Sequence, residues 1–205
     1  MSQQMFADDI QFYERLLKCA GLFNGQIDGQ WTARTDAADR QFDSVYETIK
    51  MKRGAFDSRS ESNIRTLMPT AQEAARRFLD RASKGFPNLS VRIISGTCTY
   101  AEQEALYRKG RGDPGRIVTK ASGGQSNHNF GIAWDVGIFD SGRYITGDSQ
   151  QEEKIYRNLA PIVMNDALEW GGNWTSFTDL PHYQMKLSLT LPQVRQLFEA
   201  GTKIV

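Results

Sequence analysis

Cysteine is scarce in this chain of 205 residues, which has only Cys19 and Cys98, far apart in the sequence. This scarcity excludes a small scaffold held together by several disulfides. One disulfide between the two residues is compatible with the sequence but is not required by it. For a protein made in the cytoplasm, we expect two separate, reduced thiols.

Excess charge and long apolar runs are also missing. The chain has 25 basic and 24 acidic residues and a net charge of +1, so we expect no nucleic-acid partner. No apolar run is long enough to span a bilayer, and we expect no membrane insertion. The opening sequence MSQQMFADDIQFYERLL lacks the basic start and apolar core of a secretory signal. We therefore expect a protein made in the cytoplasm and not exported by a signal of its own.

The N-terminal region has the pattern of two helices. Apolar residues at helical spacing predict the first over residues 8–20, with Asp8 or Asp9 as its cap. The second follows a turn-rich connector and is capped by Thr32 or Thr35. Its predicted apolar stripe consists of Ala38, Phe42, Val45 and Ile49. Such short helices predict a small helical module close to the lower size limit for an independent core.

Residues 51–63 are polar and charged, and we interpret them as an irregular boundary between a module over 1–56 and a domain over 57–205. Beyond it, helices are predicted over 70–82, with a capping box of Thr70 and Glu73, and over 99–110, 151–170 and 191–201. Strands are predicted over 90–95, over 131–139 and after Asp179. This irregular alternation indicates an α+β fold, a small antiparallel sheet with flanking helices, preceded by the helical module.

Histidine is as scarce as cysteine, and each of the two histidines lies near an aspartate. His128 precedes Asp135 in SNHNFGIAWD, and His182 follows Asp179 in DLPH. A catalytic zinc site needs three protein ligands and an open position for water, which His128, Asp135 and His182 would satisfy. Along a straight strand, positions 128 and 135 would be about 23 Å apart, so a bend is needed, and Gly131 offers a place for it. Asp179 would then remain as a general base.

A structural interpretation of the same residues is open. His128 would be a half-buried polar residue at the start of a strand, and His182 a surface residue beside a proline. A single His-x6-Asp spacing and a single Asp-x-x-His spacing are weak signals, so spacing alone favours neither interpretation.

The wider sequence around both histidines resembles a known enzyme family. SNHNFGIAWD resembles the S-x-H-x-x-G-x-A-x-D signature of the zinc peptidases that cleave bacterial cell-wall peptides. That family includes D-alanyl-D-alanine carboxypeptidases and the L-alanyl-D-glutamate endopeptidases found as phage endolysins. The matching positions are Ser126, His128, Gly131, Ala133 and Asp135. DLPH resembles the D-x-P-H form of the endolysin branch, and the resemblance covers roughly residues 57–201.

This resemblance implies roles for the residues of both motifs. His128, Asp135 and His182 would bind Zn²⁺, which lowers the pKa of its water to about 7. Asp179 would be the catalytic base, accepting the proton of that water and passing it to the leaving nitrogen. Ser126 would support the site from outside the metal shell or contact substrate, or else be a local cap hydroxyl.

One position departs from the family pattern. Members often carry an arginine in a stretch like SGTRTYAEQ, where this chain has Cys98 in SGTCTYAEQ. The family arginine is thought to bind substrate or stabilise the oxyanion, which a cysteine cannot do as a cation. Three explanations are open. Arg108, Arg111 or Arg116 would replace the missing charge, and Arg116 is then a candidate substrate-binding residue; alternatively, activity is low, or Cys98 is an alteration particular to this chain. A fourth zinc ligand at Cys98 would exclude the catalytic water, so we favour a buried structural cysteine.

Two weaker resemblances concern substrate recognition. Gln103 matches a glutamine of the family pattern and is predicted to contact substrate, with a solvated helix residue as the alternative. Residues 16–42 resemble the peptidoglycan-binding repeat. The matching positions are Gly21, Gly25, Asp28, Gly29, Thr35 and Ala38. A later glycine of the repeat is replaced near Ala33, and the alternative is a structural helical cap on the enzyme.

The resemblance as a whole implies a zinc-dependent peptidase that cleaves the stem peptide of peptidoglycan, as an endolysin-like L-alanyl-D-glutamate endopeptidase. The alternatives are a D-alanyl-D-alanine carboxypeptidase and a catalytically weak wall-binding protein. We expect Zn²⁺ as cofactor, peptidoglycan as partner and a monomer. The protein would act on the cell wall or in the periplasm after release or delivery.

Overall fold

The computed structural model describes residues 6–205. Its helices are α1 (Ala7–Cys19), α2 (Ala33–Arg53), α3 (Ser58–Arg65), α4 (Pro69–Gly85), α5 (Tyr100–Arg108), α6 (Gln150–Val163) and α7 (Leu191–Glu199). Its strands are β1 (Ser90–Ser95), β2 (Ala133–Asp140), β3 (Arg143–Ile145), β4 (Leu168–Trp170) and β5 (His182–Met185). Two 3₁₀ turns cover Asn127–Phe130 and Gly171–Asn173. This mixture confirms the predicted α+β class.

One of two compact units contains the described part of Met1–Thr48 together with Cys98–Gly131 and Leu189–Val205. Its core is built from aromatic rings on three helices and one turn. The ring of Phe198 on α7 lies 5.3 Å from Phe12 on α1 and 5.4 Å from Phe130, measured between centroids. Tyr100, the first residue of α5, meets Phe130 edge to face at 6.4 Å. These contacts anchor the turn that ends at Phe130.

The other unit contains Ile49–Thr97 and Ile132–Ser188 and holds the whole sheet. The strand order is β1-β2-β5-β4, with β3 also paired to β2, and all pairs are antiparallel. Helix α4 covers one face, where Phe78 packs 4.6 Å from the ring of Tyr183 and 6.1 Å from that of Trp134. A small antiparallel sheet with flanking helices is therefore confirmed.

Side-chain alternation along β2 separates the core from the polar face. Trp134, Val136 and Ile138 are fully buried on the face that α4 covers. Because successive residues of a strand point to opposite faces, Asp135 lies on the other face. It stands directly opposite His182 of β5 in the β2–β5 register. The sheet therefore brings a carboxylate and an imidazole side by side.

The N-terminal helices agree with the prediction apart from their caps and stripe. The N-cap of α1 is Phe6, not Asp8 or Asp9. At α2, Thr32 accepts the Thr35 N–H at 3.3 Å, which confirms the Thr32 alternative. The buried residues of α2 are Thr35, Ala38, Phe42 and Tyr46, so Val45 and Ile49 do not belong to its buried stripe.

Local predictions around the proposed boundary are wrong. Residues 51–63 are mostly helical, because α2 continues to Arg53 and the Asp57 side chain caps α3 by accepting the Ser60 N–H. Thr70 does not cap α4, which begins one residue earlier at Pro69. The predicted division into 1–56 and 57–205 stays a prediction, since compactness alone does not decide which segments fold independently.

The helix predicted over 151–170 is too long. Helix α6 ends at Val163, and the Asn165 side chain then accepts the Ala167 N–H at 2.8 Å. The segment turns and continues as β4, which pairs with β5 and buries Leu168 and Trp170. Pairing with the sheet thus outweighs the helical periodicity of the segment.

Within residues 6–205, no helix combines the length and the apolar character needed to cross a bilayer.

Candidate metal centre

His128 lies on the 3₁₀ turn that precedes β2, rather than on a strand. The Ser126 hydroxyl accepts the His128 N–H at 3.3 Å and so caps the turn. Gly131 ends it with φ = 67°, a left-handed conformation that glycine adopts without strain. The predicted bend at Gly131 is confirmed, and it leads the chain from His128 into β2.

Asn129 ties the histidine turn to two neighbouring segments. Its side chain is fully buried, and its amide nitrogen donates to the carbonyls of Cys98 at 2.9 Å and Thr99 at 3.3 Å. Its amide oxygen accepts the Gly124 N–H at 3.0 Å. The Cys98 N–H in turn donates to the His128 carbonyl at 3.2 Å. The backbone of His128 is therefore fixed by hydrogen bonds that sequence analysis did not identify.

Asp135 and His182 face each other across two adjacent strands. Their side chains approach to 3.3 Å between Asp135 Oδ1 and His182 Nδ1. The side chain of His182 is 6 % exposed and that of Asp135 29 %, so the imidazole is enclosed while the carboxylate reaches the surface. Antiparallel register alone produces this pair, since the two Cα atoms are direct partners.

His128, Asp135 and His182 together offer a metal site. One ligand atom from each residue lies within 4.8 Å of the other two. Two ligands at the usual zinc distances in a tetrahedral site are about 3.3–3.6 Å apart. The Asp135–His182 separation of 3.3 Å already has this value. The donor set of two imidazoles and one carboxylate also suits zinc, so the residues present fit this metal.

The ring of His182 has contacts on its face and on its second nitrogen. Nε2 lies 3.0 Å from the Gln184 side-chain oxygen. The indole of Trp174 packs against the ring with centroids 4.9 Å apart. On the opposite face of the sheet, burial raises the pKa of the neighbouring Tyr183 hydroxyl above its ordinary value. The contacts with Gln184 and Trp174 thus set the orientation of the His182 ring.

Asp179 lies on the loop before β5, half-buried, and is held through its backbone. Its N–H donates to the Gly171 carbonyl at 3.1 Å, and its own carbonyl accepts the His182 N–H at 3.3 Å. A Cβ atom added to Gly171 would lie 2.7 Å from the Asp179 carbonyl oxygen and 3.0 Å from the His182 Cβ. The loop therefore needs glycine at 171, a requirement of close approach that sequence analysis missed.

The predicted substrate-binding residues differ in their surroundings. Gln103 is 4 % exposed, and its amide nitrogen donates to the Ala121 carbonyl at 2.9 Å, so it holds a loop rather than lying in solvent. Arg116 is exposed on that loop. The Ser126 hydroxyl accepts the His128 N–H, as expected if Ser126 is a local cap residue. Substrate contacts by these three residues stay predictions.

Cys98 is half-buried, so the expectation of a buried cysteine is wrong. The described residues that form the metal group do not include it. Of the arginines proposed to replace the missing charge, Arg108 pairs with Asp113 at 3.3 Å. Arg111 lies over the Tyr107 ring and donates to the Thr119 carbonyl at 3.1 Å. Both guanidinium groups therefore already have partners that are close to them in the sequence.

Residues 119–185 match the model of a protein family described as D-alanyl-D-alanine carboxypeptidase. The matched segment contains His128, Asp135, Asp179 and His182. It does not reach Cys98.

Individual proteins are similar to this chain over longer segments. The peptidoglycan L-alanyl-D-glutamate endopeptidase CwlK of Bacillus subtilis (strain 168) is 36 % identical over 109 residues, 51 % of this chain and 64 % of CwlK. The L-alanyl-D-glutamate peptidase of Listeria phage A118 is 27 % identical over 129 residues, 63 % of this chain and 41 % of that protein. The chain thus spans less than two thirds of either relative.

Among solved structures, the chain is similar to the Serratia marcescens L-Ala D-Glu endopeptidase ChiX. The sequence identity is 24 % and the TM-score 0.46, with 66 % of this chain and 92 % of the other covered.

Proposed function

We propose that this chain is a zinc-dependent peptidase of the peptidoglycan stem peptide, and the match of residues 119–185 to the family described as D-alanyl-D-alanine carboxypeptidase supports this. The main support for this proposal is that the side chains of His128, Asp135 and His182 come together, with Asp179 on the adjoining loop. Two motifs far apart in the sequence meet at one sheet, as a catalytic metal centre requires.

We assign the residues as follows. His128, Asp135 and His182 hold the zinc, which when bound polarises the substrate carbonyl and lowers the pKa of a water. The Asp179 carboxylate takes a proton from the attacking water and delivers it to the leaving nitrogen. Asn129 and Gly131 fix the backbone around His128, and the pairing of Asp135 with His182 across β2 and β5 fixes the other two ligands.

We propose the L-alanyl-D-glutamate bond as the one cleaved. Support comes from CwlK and the phage A118 protein, whose names specify that activity. A second candidate, release of terminal D-alanine, is favoured by the description of the matching family. The first activity releases the stem peptide from D-glutamate onward, whereas the second releases only its terminal D-alanine.

Mass spectrometry of digested, purified peptidoglycan separates these activities. We expect products that begin with D-glutamate, formed with zinc and abolished by a chelator. Release of free D-alanine alone would overturn the endopeptidase assignment. The absence of any product from zinc-loaded protein that still binds peptidoglycan would instead favour a wall-binding protein.

We further propose that the N-terminal region, predicted as residues 1–56, binds the wall. Trp31 is 42 % exposed and stacks on Tyr13 with an interplanar angle of 2°, an arrangement that offers a flat apolar surface to a sugar ring. Sedimentation of the full chain with purified peptidoglycan tests this. Trp31→Ala should reduce the bound fraction, whereas Phe177→Ala, at another exposed aromatic residue, should not. Equal binding by both would contradict the proposal.

We also propose that the protein acts as a monomer on the cell wall after release or delivery. The wall-directed relatives support the place of action. Sedimentation equilibrium of the purified chain tests the monomer.

A further inference from the structure

A continuous row of hydrogen bonds runs from His182 along the polar face of the sheet. The Gln184 side-chain oxygen lies 3.0 Å from His182 Nε2, and its amide nitrogen donates to Glu169 Oε2 at 3.1 Å. The other Glu169 oxygen accepts the Trp174 indole N–H at 2.6 Å. The alternation of strand residues places His182 and Gln184 on one face, and Glu169 of β4 is the direct partner of Gln184.

Glu169 determines which atoms donate and which accept in this row of hydrogen bonds. A carboxylate offers only acceptor oxygens, so Glu169 accepts from both Gln184 and Trp174. The amide nitrogen of Gln184 must therefore face Glu169, and its oxygen must face His182. An amide oxygen also only accepts, so Nε2 of His182 has to carry the hydrogen.

We propose that Glu169 and Gln184 are positioning residues that hold the His182 imidazole in the Nε2–H tautomer, which leaves the Nδ1 lone pair for the metal. This inference rests on the metal centre of the proposed function. The tautomer needs such support, because Asp135 lies 3.3 Å from Nδ1 and on its own would favour a hydrogen on that nitrogen. Metal-bound histidines commonly donate their second N–H to a fixed acceptor, which sets ring orientation and basicity.

The burial of the row makes the acceptor hard to replace by water. Gln184 is 8 % exposed and His182 5 %. A buried donor that loses its partner carries the cost of desolvation, and a partly satisfied polar network is worse than none. The Trp174 ring against His182 closes the space beside the imidazole. The side-chain oxygen of Gln184 is thus the acceptor that keeps the hydrogen on His182 Nε2.

Glu169→Gln is the most informative substitution. Its side chain keeps the size and keeps an oxygen for the Trp174 indole, but it then turns an amide nitrogen toward Gln184. Two donors would face each other, so the Gln184 amide rotates and offers its own N–H groups to His182. The hydrogen is thereby displaced from Nε2 toward Nδ1, the nitrogen that has to bind zinc. Gln184→Leu removes the acceptor without this reversal.

Zinc affinity, measured by competition with a chromophoric chelator, tests the proposal without reference to peptidase activity. We expect Glu169→Gln and Gln184→Leu each to weaken binding by about 10–100-fold. In the double variant, Glu169→Gln should add less than about 2-fold to the effect of Gln184→Leu, since residues that act in series are not additive. The matched control is Glu153→Gln, at a side chain of helix α6 that is 39 % exposed and pairs with Arg157, and this variant should bind zinc as the parent does.

Nuclear magnetic resonance of the zinc-loaded chain gives a second readout that a general loss of stability would not produce. With only two histidines, the imidazole signals are readily assigned. The His182 Nε2–H should exchange slowly with water in the parent and rapidly in Gln184→Leu. Parental affinity and exchange in both single variants would overturn the proposal, as would a parent chain that binds no zinc. A parent that binds zinc but cleaves nothing would refute the proposed function and leave this inference standing.

Discussion

At the level of single residues, the proposed metal ligands and the proposed base are held in different ways. His128 and His182 are buried, and the backbone of the first and the ring of the second have hydrogen-bond partners before any metal binds. Asp179 lies on a loop whose geometry depends on the Gly171 carbonyl. The ligands are therefore preorganised by the fold, while the position of the base depends on one close backbone approach.

Replacing the base separates catalysis from metal binding. Asp179→Asn keeps the size of the side chain but removes its ability to accept a proton as a carboxylate. We expect stem-peptide cleavage to fall by about 10²–10⁴-fold, with one zinc still bound per chain. Quantification of cleavage products and metal content checks this. The control Asp166→Asn, at an exposed turn, should leave both unchanged, and an active Asp179→Asn would contradict the assigned role.

Adding one methyl group at Gly171 should displace both Asp179, the proposed base, and the adjoining His182. In Gly171→Ala the new Cβ would meet the Asp179 carbonyl oxygen at 2.7 Å, so the 179–182 loop has to move. We expect at least a 10-fold loss of cleavage, because small displacements of catalytic groups are costly. Gly112→Ala, which meets nothing within 4 Å, is the matched control. Equal activity of the two variants would show that the close approach is unimportant.

The convergence of the three proposed ligands was easier to predict than the residues around them. The sequence pointed to His128, Asp135 and His182 because they belong to two motifs and because a catalytic zinc site needs three protein ligands, and the structure brings the three together. Gln184 and Glu169 were not predicted, since their contacts depend on the pairing of β4 with β5. A period of two in the strand after His182 was the one signal that could have suggested Gln184.

At the scale of elements, β2 organises the centre, because it pairs with β1, β3 and β5. The sequence predicted β1 from its short, β-branched run SVRIIS and predicted β2 from the largely apolar run GIAWDVGIF. It failed at β4, where a segment with helical periodicity joins the sheet. Short strands of this kind are defined by their partner strand, which a linear pattern does not reveal.

The turn that carries His128 depends on Asn129, which binds two neighbouring segments. In Asn129→Ala, buried partners lose their hydrogen bonds, so we expect the free energy of unfolding to fall by about 1–3 kcal/mol. Zinc affinity should fall with it, because His128 is no longer fixed. Urea denaturation and chelator competition measure the two effects. Asn173→Ala, at an exposed residue, serves as the control, and parental zinc affinity in Asn129→Ala would contradict a positioning role.

For the whole molecule, the matched segment of 119–185 leaves helices α1–α5 and α7 outside the match. Metal binding and folding should be coupled, because the three ligands come together only in the folded chain. At a free zinc concentration 100 times the dissociation constant, we expect the free energy of unfolding to rise by about 2.7 kcal/mol. Thermal or urea denaturation checks this, and His182→Ala should abolish the increase. A zinc effect retained in that variant would place the metal elsewhere.

We propose that one zinc, held by His128, Asp135 and His182, makes this chain a peptidoglycan peptidase. The decisive experiment adds zinc stepwise to metal-free protein while the stem-peptide products are quantified. Cleavage should be absent at the start, rise in proportion to added zinc and reach its plateau at one zinc per chain. Full cleavage by the metal-free protein, or no cleavage at any zinc content, would contradict the account.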